Sequence, residues 1–143
     1  HQMDEAIFLD ESMALRERML AQPLASRFSY DANLNVLFVD FERIEIKTAR
    51  DVREIRRTVE KIMGPIGHRV CAIVNYSGAT IAPEVFDAYS AMVQEVVDRH
   101  YLDVTRYGSS GFLRMKLGSA LEEKGLEPQF HATADEARRA VVR

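Results

Sequence analysis

The hydrophobic positions of this chain change their period several times, and each change marks an element. After a capping Asp10, Met13, Leu15, Met19 and Leu20 share a partly apolar helical face that ends at Gln22-Pro23. Arg27-Phe28-Ser29-Tyr30 then alternates as a strand does, and Asp31-Ala32-Asn33 supplies turn residues. Residues 35–41 follow, with Ile44 and Ile46 at period two, so two or three antiparallel strands are predicted here. Thr48, with Asp51 three residues on, is a variant capping box. Val52, Ile55, Val59 and Ile62 recur at helical spacing until Gly64-Pro65-Ile66-Gly67 stops the helix. The charged residues 53–57 mix acids with bases and read as its solvated face.

Residues 70–76 are apolar nearly throughout, the pattern of a strand covered on both faces. Pro83 suits the first turn of a helix whose stripe is Val85, Tyr89, Met92, Val93, Val96 and Val97. Residues 105–107 read as a short strand. Ser109 or Ser110 caps a helix carrying Phe112, Leu113, Leu117 and Leu121, and Gly125 closes it. Residues 128–132 form an edge strand, and Thr133 with Glu136 makes a capping box for a last helix with Ala137, Val141 and Val142. The order is helix, β-β-(β), α, β, α, β, α, β, α. It predicts an α/β fold, a single mixed sheet of four to five strands covered by helices. Residues 1–24 read as a linker and amphipathic helix, and residues 25–143 as the α/β domain.

Composition narrows the function without naming it. A chain of 143 residues, 47% hydrophobic and 29% charged, buries one core without staples. Its 19 basic and 22 acidic residues leave a formal charge of −3, which argues against a nucleic-acid partner. No apolar run approaches the ~18 residues of a membrane helix, and no leader pattern is present, so a cytoplasmic protein with no membrane partner is expected. Cys71 has no second cysteine to pair with and reads as a small core residue. The start, His1-Gln2-Met3-Asp4, fits either a cut from a longer polypeptide or a tag remnant.

Candidate chemistry gathers where strands hand over to helices, the usual ligand position of open α/β sheets. In the first such loop, Asn75, Tyr76, Ser77 and Thr80 lie before a helix start whose N–H groups favour anions. Ser77 and Thr80 could also accept a phosphoryl group. In the second, Arg106, Tyr107, Ser109, Ser110 and Arg114 could hold a phosphate or carboxylate. Strand ending and ordinary helix capping account for the same residues. The P-loop spacing is absent. His1, His68, His100 and His131 are scattered, and no serine sits in a Gly-x-Ser-x-Gly context. No catalytic residue and no metal site is assigned.

A resemblance adds to this. Val74-Asn75-Tyr76, Ile81-x-Pro83, Asp87-x-Tyr89, Met92-Val93 and Val104-Thr105-Arg106-Tyr107 lead to Phe112-Leu113-Arg114-Met115-Lys116-Leu117-Gly118. Together they resemble the C-terminal extension of long bacterial acyl-CoA:acetate/3-ketoacid CoA transferases, from about Met3 to the end. Met3-Asp4, Ile7-Phe8 and Met13-Ala14-Leu15 look like the junction with the transferase core. The predicted topology is also similar to the STAS-like fold of anti-sigma factor antagonists. Gly108-Ser109-Ser110-Gly111 departs from the Thr-Thr-Ser-Ala of the transferase pattern, and Ala82-Pro83-Glu84 stands where STAS regulators carry a phosphorylated serine.

The resemblance implies that coenzyme A thioesters and the catalytic glutamate belong to the upstream core. This chain would then be a non-catalytic accessory module for assembly or regulation. Its partners would be that core or a second copy of the chain, met through the helix in residues 10–21 and the strand-end loops. The alternatives are a module binding a small anion, coenzyme A or a nucleotide at the strand-end loops, and a free-standing STAS-type regulator.

Overall fold

The computed structural model describes residues 23–108, 111–126, 130–131 and 133–141. The helix predicted within residues 10–21, and Ser109 and Ser110, lie outside them. Strand β1 (Phe28–Asp31) turns antiparallel onto β2 (Val36–Asp40). Asp31 Oδ1 closes the reversal by accepting from the N–H groups of Asn33 and Leu34 at 2.9 and 3.1 Å, and Asn35 takes the left-handed φ of +54°. Parallel to β2 run β4 (Val70–Asn75), β6 (Tyr101–Tyr107) and β7 (Phe130–His131). The main sheet is therefore mixed and five-stranded, in the order β1-β2-β4-β6-β7.

The segment around Ile46 corrects one expectation. Strand β3 (Glu45–Ile46) joins no antiparallel hairpin. It pairs parallel with β5 (Thr80–Ile81) in a separate two-stranded sheet. Arg43, at φ +58°, turns the chain out of β2. Its N–H then donates to Ser77 O at 2.7 Å, which commits the following residues to the loop beyond β4.

Helix α1 (Ala49–Ile66) starts at the predicted capping box and buries Val52, Ile55, Val59 and Met63. It runs through Gly64 and Pro65 and stops at Gly67, whose φ of +73° reverses the chain. A proline in the last turn lacks only one N–H, so the helix tolerates it there. Pro83–Val85 is a 3-10 turn that feeds α2 (Phe86–His100), which buries Phe86, Tyr89, Met92 and Val96. Helix α3 (Gly111–Glu123) buries Leu113, Leu117 and Leu121. In α4 (Ala134–Val141), Glu136 N–H donates to Thr133 Oγ1 at 3.2 Å, as the cap predicts.

Strand β6 begins four residues before its predicted start. Asp103 hid this, because its carboxylate interrupts the apolar pattern and accepts from the Val104 N–H at 2.9 Å. Side chains of Leu37, Val39, Ala72, Val74 and Val104 enter the main core with those of α1, α2 and α3. Val36 and Ile73 face the other way and pack with Ala137 of α4. Cys71 lies on that second face only half-buried, which corrects its reading as a core residue.

Candidate functional site

Register places the two strand-end loops side by side, since Asn75 of β4 stands opposite Tyr107 of β6. Backbone bonds continue past the strands. Tyr76 N–H donates to Tyr107 O at 2.9 Å, Phe41 N–H to Asn75 O at 2.9 Å, and Gly108 N–H to His131 O at 3.3 Å. Asn75 Oδ1 accepts from the Ser77 N–H at 2.9 Å, and its Nδ2 donates to Asp40 Oδ1 at 3.2 Å. Gly108 (φ +75°) presses so closely on this loop that a Cβ there would stand 2.1 Å from Ser77 Oγ. Backbone groups and the Asn75 amide thus tie the loops to one another.

The remaining sequence candidates scatter around this junction. Thr80 is exposed on β5, where its N–H donates to Ile44 O at 2.9 Å. Tyr107 is half-buried on the second face, and burial, followed by the charge of Asp40, pushes its phenol up. Arg114 is exposed on α3, with Nη2 3.5 Å from Phe130 O. Ser109 and Ser110 are outside the described residues. Ser77 is half-buried beneath Gly108.

Tyr76 and Arg106 turn inward, away from the loop surface. Tyr76 is 2% exposed, and its hydroxyl meets that of Tyr89 at 2.5 Å. Arg106 is 3% exposed, and its Nε is enclosed with no hydrogen-bond partner. Tyr101 completes the group. With Tyr76, Tyr89 and Arg106 it lines a cavity of about 40 Å³ between the sheet and the helices. Burial pushes the Tyr89 phenol well up, and Tyr76 adds to this; Arg106 opposes it. Burial and Tyr76 push Tyr101 up as well. Both phenols are therefore neutral hydrogen-bonding groups at neutral pH.

Sequence reasoning missed Tyr89 and Tyr101 as members of this cluster. The available signal was a tyrosine within an aliphatic stripe, since a buried Tyr hydroxyl needs a partner. It also missed Arg27. That residue is 6% exposed and its Nη1 donates to Asp40 O at 2.9 Å and Glu42 O at 3.0 Å, tying down the chain as it leaves β2.

Elsewhere the chemistry is muted. Burial, then Asp103, pushes the Cys71 thiol up, which leaves it protonated and a poor nucleophile. Among the described residues no group of three His, Cys, Asp or Glu side chains could hold a metal ion, and no helix is long and apolar enough to cross a membrane. No protein-family model, curated protein or solved structure matches this chain.

Proposed function

We propose that this chain is a STAS-like accessory module of an acyl-CoA:acetate/3-ketoacid CoA transferase, working in the cytoplasm on assembly or regulation of the transferase core. The coenzyme A thioester and the catalytic glutamate belong to that core. The observation that carries the reading is the interlocked pair of strand-end loops. Asn75 is held by Ser77 and Asp40, and Gly108 is pressed on Ser77. Such loops form a rigid surface suited to protein contact. The transferase-like strings add the identity of the partner.

The test is a coenzyme A transfer assay on the full-length polypeptide with and without residues 1–143, beside its mass in solution. Loss of the module is expected to change the assembly state or the turnover while the core remains active. A full-length polypeptide with no transferase core overturns the reading. So do unchanged turnover and unchanged mass on deletion.

A further inference from the structure

An open groove of about 410 Å³ lies between helix α1, strand β3 and the 3-10 turn Leu24–Arg27. Its apolar wall consists of Ile46 and Ile55, which are buried, and Leu24 and Ile44, which are half-buried. Its charged wall is acidic, with Glu45, Asp51 and Glu54. Among the described residues that line it the one cation is Arg27, whose Nη1 already donates to Asp40 O and Glu42 O. Asp51 is committed to the cap of α1. Glu45 and Glu54 hold only surface pairs, with Lys47 at 3.0 Å and Arg57 at 3.2 Å, and such pairs contribute little. The groove therefore suits an occupant that is apolar and carries a positive charge. Pockets of roughly 300 Å³ and more hold whole ligands, so several side chains fit at once.

The chain supplies that complement next to the groove. The helix predicted for residues 10–21 ends one residue before Pro23, and Leu24 and Ala25 already line the groove. Leu20 lies four residues from Leu24, a separation of at most roughly 14 Å, which keeps it within reach. At about 3.6 residues per turn, Leu15 and Met19 fall on one side of Arg16, and Met13 and Leu20 on the other. An arginine in the middle of an apolar face needs a carboxylate with apolar neighbours. Glu54, half-buried beside the buried Ile55, is such a group.

We propose that residues 10–21 dock in this groove of their own chain. Met19 and Leu20 lie against Leu24 and Ile44, and Arg16 pairs with Glu54. The proposal does not depend on the transferase reading.

The experiment uses the full chain and follows its melting temperature and its mass in solution. Leu20→Asp is expected to lower the melting temperature by at least about 3 °C. Arg18→Glu, on the opposite side of the predicted helix, should lower it by less than about 1 °C. Arg16→Glu supplies the sharper comparison. It should lower the melting temperature of the native chain and raise that of a Glu54→Arg chain, where it restores a pair of opposite charges. No loss from Leu20→Asp, or no reversal of sign for Arg16→Glu, overturns the proposal. A loss accompanied by a fall from dimer to monomer mass gives the groove to the segment of a second copy and overturns it too.

Discussion

At Gly108 two constraints coincide: the backbone sits at φ +75°, and Ser77 Oγ occupies the place a Cβ would take. Gly67 shares the first alone, at φ +73° with nothing within 4 Å. A left-handed conformation costs an L-residue roughly 1–2 kcal/mol, and this should be the whole effect of Gly67→Ala. Gly108→Ala must in addition displace Ser77 and loosen the bond from its N–H to Asn75. We expect it to lose at least about 1 kcal/mol more than Gly67→Ala in denaturant unfolding, with part of the difference restored by adding Ser77→Gly. Equal losses would show that the two loops are not locked at this point. Single residues also show what the sequence conceals. The sequence places Tyr76 and Arg106 beside the loop surface. Alternation along β6 already places Arg106 on the face of Val104, however, and so in the core. Its burial was legible in principle. The hydroxyl partner of Tyr76 was not, because Tyr89 comes from a different element and only packing brings the two together.

Elements divide along the same line between local and distant causes. The start of α1 is local, and it was read from four residues. Thr48 Oγ1 accepts from Asp51 N–H at 3.2 Å, while Asp51 Oδ2 accepts from the N–H groups of Lys47 and Thr48 at 2.9 and 3.0 Å. Those bonds, led by the one from Lys47, hold the Asp51 carboxyl below its usual range against the opposing effect of burial. A carboxyl lowered on folding stabilises the native state above the ordinary value near 4 and stops doing so as pH falls through its folded value. Thr48→Ala is expected to cost about 1 kcal/mol at neutral pH. Asp51→Asn should be less stable than the native chain at neutral pH, with the gap closing as pH falls below about 4. Unfolding followed from pH 7 to pH 3 checks both, and a gap independent of pH would refute the role of the charge. Strands β3 and β5 were not legible in this way. Each is two residues long, and their pairing depends on Arg43 carrying the chain towards Ser77, a contact that no local pattern announces.

At the scale of the whole molecule, the described residues cover the two faces of the sheet unequally. Alternation within β2 and β4 divides Leu37, Val39, Ala72 and Val74 from Val36 and Ile73, and the first set meets the large core built with α1, α2 and α3. The sequence indicated that residues 70–76 are covered on both faces, but period two cannot say which helix covers which. On the second face Val36 and Ile73 are 1% and 3% exposed, Ala137 of α4 is wholly buried against them, and Arg138 lies over the Phe38 ring at 5.1 Å. Helix α4 therefore acts as a cover, and its short length makes packing rather than helix propensity its main support. Two asparagine substitutions separate these causes, because their propensity costs within one helix are similar, Ala being only slightly the better helix former than Arg. Arg139→Asn falls on the exposed side of α4 and is expected to change stability by less than about 0.5 kcal/mol. Ala137→Asn forces an amide against Val36 and Ile73 and should cost at least about 2 kcal/mol more. It should also raise binding of a hydrophobic dye as the second face opens. Were the two variants equally stable, α4 would not be packed on the sheet, and the burial of Val36 and Ile73 would need another source.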